Sequence, residues 1–253
     1  MSNNLEEYND PISYDIENDA YMGELKMLEE WAVKQGGPVL DLACGTGRIT
    51  IPLAQKGHNM IGIDIHAGML ELAKKKADQA NIQIEWLEQD CTMLQLDKKS
   101  PLIYMVGNSF QHFHTNAQQN LVLKSIHNLL EQEGIFIFGT RFPNAEELLQ
   151  PTTEEYWKTY TDTLSNKIVN AYTISNYDPL EQIQHYTTIR KFMDDNHVAE
   201  ERKTNISLRY TYPKEMERLL IENGLDILHA YGNWEGSPLI KESNEMIYIC
   251  RKI

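Results

Sequence analysis

The residues best suited to chemistry begin with Asp41, in the run Val39-Leu40-Asp41-Leu42-Ala43-Cys44-Gly45-Thr46-Gly47-Arg48. An apolar stretch there passes through a turn of small residues into a helical pattern. Two glycines at such a turn let a ligand lie against bare backbone at a helix N-terminus, where free N–H groups gather. A dinucleotide fingerprint read from Gly45 and Gly47 wants a small residue at position 50, which is Thr50, and a P-loop wants Gly-Lys-Ser/Thr, which is absent. Asp41 weighs further against phosphate, because a carboxylate at this place favours a ligand carrying an ammonium group.

Asp64, in Ile61-Gly62-Ile63-Asp64-Ile65, stands 19 residues beyond Gly45. At that spacing an acidic side chain reaches both hydroxyls of a ribose laid outside the strand ends. Asp90-Cys91 follows a third apolar run, where a carboxylate accepts from an exocyclic adenine amine and a backbone N–H donates to the ring. Together the three marks describe a nucleoside with an amino-acid tail and no phosphate, the chemistry of S-adenosylmethionine.

The elements that must position these groups follow from hydrophobic periodicity. Between Gly37 and Phe142, short β-branched or apolar runs alternate with amphipathic stretches, the signal of a parallel sheet wound with helices. Strands are expected at Pro38–Cys44, Asn59–Ile65, Ile82–Leu87, Leu102–Val106 and Ile135–Gly139. Helices are expected at Arg48–Lys56, at Ala67–Ala80 with Met69, Leu70, Ala73 and Ala77 on one face, and at Ala117–Leu130 with Leu121, Leu123, Ile126, Leu129 and Leu130 mostly inward. Beyond Arg141 the rhythm changes. Lys167–Ser175, Leu180–Met193 and His197–Tyr210, separated by Asn176-Tyr177-Asp178-Pro179 and Asp194-Asp195-Asn196, read as an antiparallel meander. A helix from Pro213 to a stop at Gly224 and strands at Leu225–Tyr231 and Met246–Cys250 complete the chain. The fold class expected is α/β: a Rossmann-like, seven-stranded, doubly wound sheet with a meander inserted after the fifth strand. The expected organisation is a helical cap over 1–36, the cofactor-binding core over 37–142, a lid insertion over 143–210 and completion of the core sheet over 211–253.

Composition excludes other classes. With 23 Lys+Arg against 37 Asp+Glu the formal charge is −14, so a polyanion would be repelled, and the longest basic run, Lys74-Lys75-Lys76, reads as a solvated helix face. Neither nucleic acid nor membrane is expected as a partner. No cationic, apolar signal-peptide pattern opens the chain, and no apolar run approaches a membrane span, so a cytoplasmic location is expected. Cys44, Cys91 and Cys250 are far apart and form no C-x-x-C pair, which points to reduced thiols in or near the core and to no metal site.

With these residues in view, Asp41 to Gly47, Asp64 and Asp90 resemble the successive binding motifs of class I S-adenosylmethionine-dependent methyltransferases. Ala43 stands where many members have Gly, and Ser100-Pro101 replaces an acidic residue that often precedes the fourth strand. Gly107-Asn108-Ser109-Phe110-Gln111-His112 is similar to a loop of glycine- and sarcosine-type N-methyltransferases, and Asp10-Pro11-Ile12-Ser13-Tyr14-Asp15 to a segment that folds over their cofactor and substrate. The meander resembles the insertion that roofs the active site of amino-sugar N-methyltransferases and forms dimer contacts, which implies a homodimer through this insertion. The resemblance implies S-adenosyl-L-methionine as cofactor and S-adenosyl-L-homocysteine as product. It assigns Asp41, Ala43, Gly45, Gly47, Arg48, Asp64, Ile65, Met69, Asp90, Cys91, Gly107 and Asn108 to the cofactor. Ser109, Arg141, Trp157 and Tyr186 fall to a small-molecule acceptor, with Tyr156 and Trp234 as further aromatic candidates. The sulfonium already activates the methyl group, so alignment and exclusion of water are the main tasks. His112 is the candidate general base and Tyr14 the candidate contact to the methionine end or the acceptor. Arg141 hints at an acidic group on the acceptor. Nitrogen is favoured over oxygen as the methylated atom. The alternatives are a nicotinamide-dependent oxidoreductase on a similar sheet and a non-catalytic cofactor-binding protein.

Overall fold

A computed structural model describes residues 4–195 and 197–253; Asn196 of the expected turn, and residues 1–3 of the expected cap, lie outside them. The central element is a seven-stranded sheet of β1 (Pro38–Leu42), β2 (Asn59–Asp64), β3 (Glu85–Glu88), β4 (Ser100–Met105), β5 (Leu130–Arg141), β10 (Leu225–Tyr231) and β11 (Glu245–Lys252). Its order is β10-β11-β5-β4-β1-β2-β3, and β11 runs antiparallel to both of its neighbours while the other pairings are parallel. Reversal of order at β1, which lies between β4 and β2, puts a crevice outside the C-terminal ends of those strands, where open α/β sheets bind ligands.

Period-2 alternation sends successive residues to two cores. Leu40, Ile103, Met105, Phe136 and Phe138 pack with Val122 and Ile126 of α5 (Asn116–Leu129) and with Met216 and Leu220 of α7 (Pro213–Glu222). Val39, Leu102, Tyr104, Ile135 and Ile137 pack on the other face with Leu28 and Ala32 of α2 (Leu25–Gln35) and Leu53 of α3 (Thr50–Gln55). Ser100, in place of an acidic residue, joins two strands by donating from Oγ to the carbonyl of Pro38 at 2.7 Å.

Several sequence expectations change. Leu121 is 47% exposed, because the buried stripe of α5 follows Val122, Ile126 and Leu129 and leaves position 121 off it. The third strand begins only at Glu85, and the fifth starts at Leu130, straight from the end of α5. The helix expected from Arg48 starts at Thr50, since the turn runs on through residues 45–49. The meander has four strands, not three: β6 (Glu155–Thr161), β7 (Ile168–Asp178), β8 (Ile183–Asp194) and β9 (His197–Arg209) in sequential order. β6 escaped the pattern reading because neither of its faces is buried, so no alternation marks it.

The N-terminal stretch divides in two. α2 packs into the second core, whereas α1 (Pro11–Asn18) lies across the carboxyl end of the sheet and is tied to the meander. Arg190 on β8 bonds Glu17 of α1 through Nε and Nη2, and donates from Nη2 to both carboxylate oxygens of Glu7 at 3.0 and 3.2 Å. Glu17 is 1% exposed and also accepts from Tyr160 at 2.6 Å. A carboxylate this buried depends on its partner. Arg190→Ala is therefore expected to lower the unfolding free energy by about 3 kcal/mol, read by denaturant titration. Arg190→Lys should recover only part of the loss, since an ammonium lacks the planar fork that spans two carboxylates. Equal stability of all three proteins would show that the clamp contributes nothing.

Candidate active site

The turn after β1 alternates into the left-handed region at Ala43 (φ 55°), Gly45 (φ 56°) and Gly47 (φ 80°). Alternation of this kind turns backbone N–H groups toward one concavity. There the Gly45 N–H donates to Asp64 Oδ2 at 2.8 Å, and the His66 N–H donates to Asp64 Oδ1 at 2.8 Å. Asp64 is 8% exposed, and burial raises its carboxyl pKa although both N–H bonds oppose the rise. Each carboxylate oxygen has a second lone pair, so Asp64 keeps acceptor capacity for hydroxyls.

Gly47 has a reason other than ligand approach. A Cβ there would stand 2.8 Å from Trp86 Cη2 and 3.1 Å from Ile51 Cδ1, so its bare Cα makes room for packing. Gly45 meets only the flexible end of Met69, at 3.3 Å, and Gly107 (φ 65°) has open space around the position of a Cβ.

Asp41 pairs in register with Tyr104 across β1 and β4, and its Oδ2 accepts from Tyr104 Oη at 2.8 Å and from Thr50 Oγ1 at 2.5 Å. The residue that breaks the dinucleotide fingerprint is thus a ligand of this carboxylate. Asp41 is 1% exposed, and its Oδ1 has no partner among the described residues. Burial pushes its pKa up to about 7, against the two hydroxyl bonds. Asp90 caps the 3-10 turn Cys91–Met93, its Oδ1 accepting from the Thr92 N–H at 2.8 Å and from Thr92 Oγ1 at 2.7 Å. Cys91 belongs to the first core, and burial lifts its thiol to about 12. These groups fit a cofactor with an ammonium, two vicinal hydroxyls and an aromatic amine: an orphaned buried acceptor at Asp41, spare lone pairs at Asp64 and the outer oxygen of Asp90.

Next to this turn, under α1 and the meander, lies a cleft of about 510 Å³. Of the residues singled out in the sequence, Tyr14, Arg48, Gly107, Asn108, His112, Arg141, Trp157, Tyr186 and Trp234 line it. Asp41, Ala43, Gly45, Gly47, Asp64, Ile65, Met69, Asp90, Cys91 and Ser109 do not. Ile65 is 49% exposed, Met69 is buried, and Ser109 closes its own turn by donating to the Val106 carbonyl at 2.8 Å. Tyr156 is 61% exposed and away from the cleft. A shallower hollow between α4 (Ala67–Gln79) and β3, lined by Asn59 and Glu85, sits at the opposite ends of the strands from the carboxylates.

Most charges of the cleft are already matched. Arg48 holds Glu24 by two bonds of 2.9 and 2.7 Å and donates to the Tyr21 carbonyl. Arg141 donates from Nη1 to Glu147 Oε1 at 2.8 Å and to Tyr186 Oη at 3.0 Å, while Tyr186 and Tyr210 both donate to the same Glu147 oxygen. Neither arginine is the free cation that its place in the sequence suggested. Glu7 and Glu17 share Arg190. Glu245 lines the cleft opposite Arg141 in the β5/β11 register and has no hydrogen bond or ion pair among the described residues. Burial, then the charge of Glu24, raises its pKa. Tyr8, Glu7, Glu17, Glu147, Arg190 and Glu245 were all missed in the sequence, where nothing about their local pattern differs from a solvated surface.

His112 is not placed to act as a general base. Both ring nitrogens are engaged, Nε2 with Tyr8 Oη at 2.9 Å and Nδ1 with Asn4 Nδ2 at 3.0 Å, and burial with the nearby His114 brings its pKa down to about 4. Thr46 donates its hydroxyl to Asp15 of α1, and Lys76 pairs with Asp15 at 2.6 Å, so α1 is fastened over the turn. Among the described residues no group of His, Cys, Asp and Glu is arranged to hold a metal, and no helix is long and apolar enough to cross a membrane.

The unpartnered oxygen of Asp41 has a measurable consequence. Its pKa is raised in the fold from 3.8 to about 7, so the folded state binds the proton more tightly. The stability this gives is complete below about pH 4 and is lost as pH rises through about 7. Asp41→Asn is expected to flatten the pH dependence of unfolding across that window and to equal or exceed the parent in stability above it. An unchanged slope in denaturant titrations across pH would show that Asp41 ionises normally.

Comparison with known proteins agrees with the geometry. The family described as "Methyltransferase domain" matches residues 39–134. Demethylmenaquinone methyltransferase of Lactobacillus johnsonii is 31% identical over 183 residues, 69% of each chain. The putative methyltransferase YqeM of Bacillus subtilis is 34% identical over 110 residues, 43% of this chain and 44% of that one. The chain spans under half the length of YqeM and of a putative methyltransferase from Geobacillus that is 26% identical. In structure, the CcbJ methyltransferase of Streptomyces caelestis superposes with a TM-score of 0.84 at 22% identity, over 97% of both chains. SAM-bound CalS10 of Micromonospora echinaspora does so with a TM-score of 0.73 at 12% identity, over 92% of this chain and 93% of that one. These superpositions show the fold, and with the sequence relationship to the L. johnsonii enzyme they place the chain among the class I S-adenosylmethionine-dependent methyltransferases, the family to which it belongs.

Proposed function

We propose that this protein transfers the methyl group of S-adenosylmethionine to an amine nitrogen of a small molecule. The observation that carries the reading is Glu245, an unpartnered carboxylate in a cleft whose three arginines are each already paired with glutamate. An anion left over in a partly desolvated cleft selects a cationic or N–H-rich acceptor and repels an acidic one. CalS10 is described as an amino pentose methyltransferase and KedS8 as a sugar N-methyltransferase, which supports an amine as acceptor.

When bound, the cofactor supplies a methyl group activated by its sulfonium: the N–C bond forms as the C–S bond breaks, and the positive charge passes from sulfur to nitrogen. Asp64 would hold the ribose hydroxyls, Asp41 the ammonium end and Asp90 the adenine amine. α1 and the meander exclude water from the cleft. The acceptor nitrogen needs its lone pair, and Glu245 takes the proton that the nitrogen loses.

Methyl-labelled S-adenosylmethionine incubated with the protein and a fractionated metabolite extract should place label on a nitrogen, identified by mass analysis. Label on oxygen or carbon, or none, overturns the reading. Glu245→Gln should raise KM for that acceptor by about tenfold and lower kcat by about a hundredfold, with cofactor affinity unchanged. Asp64→Ala should weaken cofactor binding by about 1.5–3 kcal/mol, the scale of a charge-assisted hydrogen bond. Unchanged affinity in calorimetry would remove Asp64 from the site.

A further inference from the structure

Three side chains from distant parts of the sequence form one chain of hydrogen bonds at the wall of the cleft, and the backbone fixes the direction of each bond. Asn4 Oδ1 accepts from the Ser207 N–H at 2.7 Å, and Asn4 Nδ2 donates to the Ser207 carbonyl at 2.9 Å. A backbone N–H only donates and a carbonyl only accepts, so the two ends of the Asn4 amide are determined. The second hydrogen on Nδ2 has two ring nitrogens within reach: His112 Nδ1 at 3.0 Å and His114 Nε2 at 3.4 Å. His114 Nε2 stands 2.7 Å from the Ser207 carbonyl, to which it must donate, so it cannot accept. The hydrogen therefore goes to His112 Nδ1. A neutral imidazole that accepts at Nδ1 carries its proton on Nε2, and that nitrogen is 2.9 Å from Tyr8 Oη.

We propose that Tyr8 is the catalytic residue that orients the acceptor amine, and that Asn4 and His112 are positioning residues which aim its hydroxyl. Accepting the hydrogen bond from His112 Nε2–H occupies one lone pair of Tyr8 Oη. The other lone pair and the phenolic proton have no partner among the described residues, and Tyr8 lines the cleft. The ring is steadied by an edge contact with Tyr14, centroids 5.3 Å apart. Burial, then the neighbouring Tyr14, raises the Tyr8 pKa, so the phenol stays neutral. An amine that turns its lone pair toward a methyl group must direct its N–H bonds elsewhere, and Tyr8 Oη accepts one of them. His112 moves no proton in this arrangement.

The role of Tyr8 rests on the amine-transfer reading, while the tautomer of His112 does not, and two measurements separate them. Long-range proton–nitrogen NMR on histidine-labelled protein, with His112→Gln for assignment, should show Nε2 protonated and Nδ1 bare, unchanged from about pH 7 to about pH 5. A proton on Nδ1, or titration near the ordinary value of 6.5, overturns the relay. With the extract fraction that takes up label as probe, Tyr8→Phe and His112→Ala should each lower kcat by about tenfold or more at unchanged cofactor affinity. His112→Gln offers an acceptor and a donor without a titrating nitrogen, and should restore kcat relative to His112→Ala by about tenfold. If His112→Gln is as slow as His112→Ala, His112 acts through its own proton and the proposal fails. If no fraction takes up label, the amine reading and the role of Tyr8 fall together, and the NMR result still decides the tautomer.

Discussion

The organising constraint of this fold is a carboxylate buried one residue before the end of a central strand. Asp41 has been taken out of water with only two hydroxyls, both on one oxygen, to replace its hydration. Such a group raises the energy of the fold when ionised. Its surroundings follow from that. Tyr104 must sit beside it on β4, Thr50 must open α3 facing back toward β1, and the turn between them must bend through three left-handed residues. Burial raises the Asp41 pKa to about 7, so the group holds its proton into the neutral range, which relieves that cost in part.

Around this end of the sheet the molecule holds a dense arrangement of opposite charges. Arg190 ties Glu7 and Glu17 of the N-terminal segment to the meander, Arg48 ties Glu24 to the turn after β1, and Arg141 at the end of β5 holds Glu147 of the segment that follows it. Each arginine of the cleft thus already faces a glutamate. Among the described residues, the pairing leaves a carboxylate at Glu245 and a hydroxyl proton at Tyr8 without a partner.

Much of the core was legible in the sequence. The sheet and helices from β1 to α5 follow the positions where apolar period changes from two to about 3.6, and the limits shift only where another force competes. Leu121 left the apolar stripe because helix geometry admits only a narrow face. β6 left no pattern because its residues are exposed or at most half-buried, so no fully buried apolar side chains mark one face. Asp41, Asp64 and Asp90 stand out in the sequence because the glycines after the first, the spacing to the second and the apolar run before the third are local properties.

The sequence by itself determined the α/β alternation, the turn at Gly45 and the row of carboxylates at the strand ends, since each depends on neighbours within a few residues. Only the tertiary structure decided which of those groups remain free to act. His112 looked like a base until Asn4, 108 positions away, was found to occupy one nitrogen and Tyr8, 104 positions away, the other. Arg190 is spoken for by Glu7, 183 positions away. Whether an ionisable side chain is available depends on its partners and its burial, and both are properties of proximity in space that a one-dimensional pattern does not encode.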